Sequence, residues 1–403
     1  MTTAAAQQQL SERIFNMEES ATLKMTRLAR ELAAEGHKVI SLSIGEPDFD
    51  TPKHIKDAAK KALDEGFTKY TPVSGLNDLV SAIQTKFKRD NDLDFEAKQI
   101  VVSNGAKQSI MNLCQALLNK GDEVIILAPY WVSYSEIVKM AGGIPVVLAA
   151  EIDTDFKVSP EDIKAAITDR TKAVLFSSPC NPTGSVYTKE ELESIAAVIG
   201  QHPEIVIISD EIYEYINFTG KHISIGSFDV VKDQTVTVNG FSKGFAMTGW
   251  RLGYMGAPLW LAQACAKVQG QVTSGATAFG QKAGAYALTA DMTPTHKMRE
   301  AFLERREIVR ELLSAIPDFK VNNPQGAFYI FPDVSAYYGK SNGKTTINNS
   351  DDFAEYILKT AHVAVVSGSA FGAPKCFRLS YAASEAQLRE AIRRIKEAVS
   401  QLK

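Results

Sequence analysis

Short β-branched runs alternate with stretches of helical periodicity through the middle of the chain. Segments 100–103, 123–127, 144–148, 173–176, 205–209 and 235–238 read as strands. Several are apolar at every position, the pattern of strands buried on both faces of a parallel sheet. Segments 107–118 and 189–199 read as helices between them. This alternation predicts an α/β fold with an open, mostly parallel sheet flanked by helices. Ligands of such sheets bind beyond the carboxyl ends of the strands.

The two ends of the chain follow another pattern. Thr51-Pro52 predicts a helix start with Thr51 as N-cap and proline at the first helical position, and Gly66 predicts its stop. Ser384 and Gln387 have capping-box spacing. After them Leu388, Ile392, Ile395, Val399 and Leu402 recur at helical spacing, which predicts a terminal helix packed on a sheet. A long helix is expected near 295–315. The expected organisation is an N-terminal segment over 1–45, a large domain over 46–295 and a smaller α+β domain over 296–403.

Composition narrows the function. The 403 residues are 45% hydrophobic and 23% charged, with a formal net charge of −3. That balance gives no electrostatic case for nucleic acid or an anionic membrane. No apolar stretch approaches the ~20 residues of a membrane span, and residues 1–9 lack the basic start and apolar core of a signal peptide. Cys114, Cys180, Cys265 and Cys376 are too scattered for a zinc site or redox pair, so they read as reduced thiols of a cytoplasmic protein. The six histidines show no ligand spacing, and no metal is expected.

The residues just past each expected strand carry the chemistry. Asn104-Gly105-Ala106-Lys107 opens a helix, where backbone N–H groups suit a phosphate. Segment 177–184 contains Asn181-Pro182-Thr183-Gly184; Asp210 and Tyr213 follow another strand, and Ser242-Lys243 a third. Each alone has an ordinary explanation: a solvated lysine, a capping aspartate, a good turn, a core tryptophan at 131. Together they predict an amide, a carboxylate, a phenol and an amine in one crevice. There is no G-x-G-x-x-G after the first strand and no G-x-x-x-x-G-K-[ST], which argues against a nucleotide-binding module.

The chain resembles the fold-type I, class I aminotransferases, with the bacterial-type aspartate aminotransferases nearest. The resemblance rests on SLSIGEPDFDTP (41–52), TKYTPVSG (68–75), PYWVSY (129–134), NPTG (181–184), SDEIYE (209–214), SKGFAMTGWRLGY (242–254) and FRLSYAAS (377–384), in the family's order. It implies pyridoxal 5′-phosphate as cofactor, bound covalently by Lys243. By the same resemblance Asp210 faces the pyridine nitrogen, Tyr213 and Asn181 the ring oxygen, and Trp131 the ring face. Gly105, Ala106, Ser242 and Arg251 would hold the phosphate, with Tyr70 reaching it from a neighbouring subunit of a homodimer. Arg378 and the backbone of Gly45 would hold the substrate α-carboxylate. Lys107, with Ser20 and Thr22 of the partner subunit, would hold a distal carboxylate. The implied reaction is a ping-pong exchange of an amino group between aspartate and 2-oxoglutarate.

Two departures matter. Relatives that also accept prephenate carry a lysine where Glu18 stands here, which removes support for that activity. Glu18 and Glu19 beside Ser20 would repel a dicarboxylate unless they point outward. Use of aromatic or branched amino acids, β-elimination, and a non-catalytic α/β binding module are the alternative readings.

Overall fold

The computed structural model of the chain describes residues 10–15, 17 and 19–403. Glu18 lies outside them. The described residues form twelve strands in chain order: β1 (Ile40–Ser41), β2 (Ile100–Ser103), β3 (Glu123–Ala128), β4 (Ile144–Ala149), β5 (Thr171–Ser177), β6 (Val206–Asp210), β7 (Thr235–Gly240), β8 (Gly253–Gly256), β9 (Tyr329–Ile330), β10 (Val363–Ala364), β11 (Val366–Ser367) and β12 (Phe377–Ser380). Seven of them form one sheet in the order β2-β8-β7-β6-β5-β3-β4.

Strands β4, β3, β5, β6 and β7 run parallel. Strand β8 is antiparallel to both its neighbours, so β2 lies at the far edge beyond it. The expected parallel α/β sheet is thus present, with β8 as an added strand. Its sequence, Gly-Tyr-Met-Gly, has weak strand propensity. The glycines are needed for space: a Cβ at Gly253 would strike the Ala106 backbone, and one at Gly256 the Phe95 ring. Strand β4 departs from the expectation of two buried faces. It is an edge strand, with Ile144 44% and Val147 41% exposed.

The helix Ala106–Leu117 matches the expected one within a residue, and Lys189–Ile199 matches it at both ends. Helix Lys53–Asp64 ends as expected at Gly66, in the left-handed region at φ 81°. Its start differs. Pro52 occupies the N-cap, and no side chain caps the helix. The Thr51 hydroxyl donates instead to the Ala246 carbonyl at 2.6 Å and accepts from Trp250 Nε1 at 3.1 Å. A long-range tie thus takes the place of a local cap, joining this segment to the loop after Lys243.

Helix Thr293–Ser314 fills the expected place near 295–315. Helix Glu385–Val399 begins with the Ser384–Gln387 capping box. Its Leu388, Ile392, Ile395 and Val399, with Leu402 beyond it, are buried in one apolar cluster with Phe302, Phe328 and Phe377. In the same part of the chain β11, β12 and β9 form an antiparallel sheet. The N-terminal strand β1 pairs in parallel with β10. Helix Ala21–Ala34 covers this pair through Met25 and Ala29 on Leu358 and Ala364.

A buried polar network fixes the loop after β6. Lys86 pairs with Glu214 and donates to Asn91 Oδ1 at 2.6 Å. Asn91 donates to Glu214 at 2.9 Å, and Ser224 to Glu211 at 2.6 Å. Glu211, Glu214 and His222 place ligand-type atoms within 4.8 Å of one another, but the Lys86 ammonium and Asn91 amide already serve these carboxylates. No helix among the described residues is long and apolar enough to cross a membrane.

Candidate active site

Parallel register sets the strand ends side by side. Ser177 of β5 lies opposite Asp210 of β6, and Asp210 opposite Val238 of β7. Beyond these ends lies a cavity of about 410 Å³. Its wall includes Lys243, Asp210, Tyr213, Asn181, Trp131 and Arg378. Ala106, Lys107, Ser242, Arg251 and Gly45 line it as well.

Asp210 forms part of the floor and is 4% exposed. Its Oδ2 accepts from Tyr134 at 2.7 Å and its Oδ1 from the Ile212 N–H at 3.2 Å. Burial nevertheless pushes its carboxyl up to about 6, against these two donors. Lys243 Nζ donates to the Gly45 carbonyl at 2.5 Å. Burial, then the cations Arg378 and Arg251, lower its ammonium to about 8, while Glu46 and Asp210 oppose the shift. An amine in this state is available as a nucleophile near neutral pH.

Arg378 is 2% exposed. Its Nη1 donates to Asn181 Oδ1 at 2.9 Å and its Nη2 to the Ser43 carbonyl at 2.6 Å. Its Nε is buried without a protein partner. A planar guanidinium with an uncommitted donor edge suits a carboxylate. Lys107 Nζ lies 4.8 Å from the Trp131 ring centroid. Burial, then Arg251, lower the pKa of its ammonium.

Arg251 Nη1 donates to the Thr248 carbonyl at 2.8 Å, and Thr248 in turn donates to Glu46. Gly105 has φ 87°, and a Cβ there would come within 2.5 Å of Arg251 Nη2. Backbone and guanidinium therefore meet at a cradle only glycine permits. The expectation for the Gly105 amide needs correction: that N–H already donates to the Ser103 carbonyl at 2.8 Å. The donors suited to an anion are the Ala106 and Lys107 amides at the head of the helix, since the Gln108 N–H already donates to the Gly105 carbonyl at 3.0 Å.

Ser20 and Thr22, expected from a partner subunit, line the cavity of their own chain. The chain reaches it because Ala21, at the head of helix Ala21–Ala34, packs against the apolar cluster that holds Phe331 and Phe371. Tyr70 does not reach this cavity and is 98% exposed. Glu19 lies 3.6 Å from Arg27, with both side chains about half exposed. Among the cavity residues that the sequence did not point to are Tyr134, Ser177 and Tyr329. Tyr134 stands inside a quoted motif. Tyr329 stands in none, and only the pairing of β9 with β12 brings it in.

The comparisons with known proteins agree with this geometry. Residues 37–395 match the family described as aminotransferase class I and II. An aspartate aminotransferase of Bacillus sp. (strain YM-2) is 47% identical over 96% of this chain and 98% of its own length. A Petunia hybrida protein described as a bifunctional aspartate aminotransferase and glutamate/aspartate-prephenate aminotransferase is 45% identical, over 98% of this chain and 83% of its own. The solved aspartate aminotransferase of Rhizobium meliloti superposes with a TM-score of 0.95 at 42% identity, covering 98% of this chain and 100% of that one. With a half-buried lysine, a buried acid and a buried arginine around one crevice, and a family match over nearly its whole length, this chain belongs to the class I and II aminotransferases.

Proposed function

We propose that the chain is a pyridoxal 5′-phosphate-dependent aspartate aminotransferase. It would exchange an amino group between L-aspartate and 2-oxoglutarate, giving oxaloacetate and L-glutamate by a ping-pong mechanism. The observation that carries the proposal is that the Lys243 amine and the Asp210 carboxyl line one cavity together with Arg378.

The residues present fit the cofactor. Lys243 would hold it covalently, and Asp210 would sit at its pyridine nitrogen. Tyr213 and the Asn181 amide N–H₂ would serve the ring oxygen, and Trp131 the ring face. Ser242, Arg251 and the first-turn amides at Ala106 would hold the phosphate. When bound, the cofactor supplies an electron sink for the pair released at the substrate α-carbon.

The chain's own residues supply the rest. An ionised Asp210 would keep the pyridine nitrogen of the cofactor protonated. Arg378 and the Gly45 backbone orient the α-carboxylate. Lys243, once free, would take up and hold the proton from the substrate α-carbon. Lys107, Ser20 and Thr22 would hold the distal carboxylate, which favours aspartate and glutamate. A homodimer with Tyr70 reaching the partner's phosphate site, and a cytoplasmic location, belong to the same proposal.

A second reading, an aromatic donor, draws support from Leu23 and Ile44, which line the cavity and are 65% and 40% exposed. A panel of amino donors against 2-oxoglutarate separates the two. Aspartate should give the highest kcat/KM; a strong preference for phenylalanine would overturn the substrate assignment.

A further inference from the structure

Tyr329 is fixed by its strand. On β9, Tyr329 and Ile330 lie opposite Ser380 and Leu379 of β12, the strand that carries Arg378. The side chain is fully buried, and its ring packs against Phe328 at 4.7 Å. The Arg378 guanidinium carbon lies 4.5 Å from the ring centroid. The hydroxyl lies 2.7 Å from that of Tyr213. On its third side it fills the space beside Gly45, where a Cβ would come within 2.5 Å of the Tyr329 hydroxyl.

We propose that Tyr329 is a positioning residue that joins the carboxylate-binding Arg378 to Tyr213. Its ring supports the guanidinium, and its hydroxyl donates to the Tyr213 hydroxyl. The proposal rests on the functional reading above, which places the cofactor's ring oxygen at Tyr213. Both phenols stay protonated, because burial raises the pKa of each. The pair is therefore a neutral O–H···O–H contact in which one proton is left over. Arg378 lies against the ring of Tyr329, and a cation there makes that phenol the better donor. Tyr213 then accepts from Tyr329 and turns its own proton toward the cavity. A phenol that accepts a hydrogen bond is polarised into a stronger donor. Tyr329 would thus strengthen the bond from Tyr213 to the ring oxygen without touching the cofactor.

The two contacts separate by substitution in the cofactor-loaded protein. Tyr329→Phe keeps a ring under Arg378 and removes the hydroxyl. Tyr329→Leu removes both. The readouts are the pH midpoint of the bound cofactor's visible absorbance and the dissociation constant of succinate, a dicarboxylate without an amino group. In Tyr329→Phe the midpoint should rise by about half a pH unit, because the ionised ring oxygen loses stabilisation. Succinate affinity should stay within about twofold of wild type, and kcat should fall with KM nearly unchanged. Tyr329→Leu should show the same midpoint and bind succinate about tenfold more weakly.

An unchanged midpoint in Tyr329→Phe overturns the hydroxyl link. Equal loss of succinate binding in both variants overturns the ring's role. A wild-type protein without visible absorbance, and without a borohydride-fixed adduct on Lys243, overturns the cofactor reading instead.

Discussion

The Tyr134 hydroxyl donates a 2.7 Å hydrogen bond to Asp210 Oδ2 at the floor of the cavity. The Tyr134 ring stands edge-on to Trp131, with centroids 5.5 Å apart and planes at 87°. One residue therefore braces the aromatic wall and tethers the acid. The bond favours the ionised carboxylate and opposes the effect of burial. In Tyr134→Phe the carboxylate loses this donor, so a smaller fraction is ionised at a given pH. The acidic limb of the kcat–pH profile should move up by about half to one pH unit. An unmoved limb would show that Tyr134 does not tune Asp210.

Asp210 also makes the cofactor-free fold pH-sensitive. Its carboxyl titrates near 6 in the fold, against the ordinary 3.8. The folded state thus disfavours the charged form, and the penalty is complete above about pH 6, where it amounts to about 3 kcal/mol. It fades as pH falls and is gone below about 4, where both states are protonated. Asp210→Asn in the cofactor-free protein should therefore melt several degrees higher than wild type at neutral pH. The advantage should disappear toward pH 4. Thermal melts of both proteins across this range test the sign.

Lys243 should react with an aldehyde at lower pH than an ordinary lysine. With its ammonium lowered to about 8, roughly a quarter of the amine is neutral at pH 7.5. Colour development after mixing cofactor-free protein with pyridoxal phosphate should accelerate with pH through a midpoint near 8. Arg378→Leu removes a repelling cation and should move that midpoint upward.

Gly105→Ala tests the phosphate cradle. The alanine would have to adopt φ 87° and push its Cβ to within 2.5 Å of Arg251 Nη2. Cofactor affinity should weaken about tenfold or more, with little change in the pH midpoint of the bound form. Titration of the cofactor-free variant with pyridoxal phosphate measures it.

Lys107→Leu tests the distal carboxylate. The ammonium that packs over Trp131 would be replaced by a shorter, apolar group. The kcat/KM for aspartate should fall about a hundredfold, while that for alanine changes little. Equal losses for both donors would place Lys107 outside side-chain recognition.

Much of the site was legible because it is written at the ends of strands. Lys243, Asp210 and Asn181 each follow or end a run whose apolar character marks a buried strand. Parallel pairing then brings such ends together without further information. The capping box at Ser384 and the apolar stripe of the last helix were equally local signals, and both stand in the structure.

What the sequence left open lies in partners far apart along the chain. Nothing near Thr51 distinguishes a capping hydroxyl from one aimed at Ala246, 195 residues away. Residues 253–256 carry two glycines whose value is clearance for Phe95 and Ala106, which a propensity reading counts against a strand. Tyr329 is an ordinary core aromatic until β9 pairs with β12. Local sequence therefore determined which residue types end each element and what chemistry they offer. Tertiary packing alone decided which groups meet, because burial, pairing register and the space left by glycines are properties of neighbours, not of the residue itself.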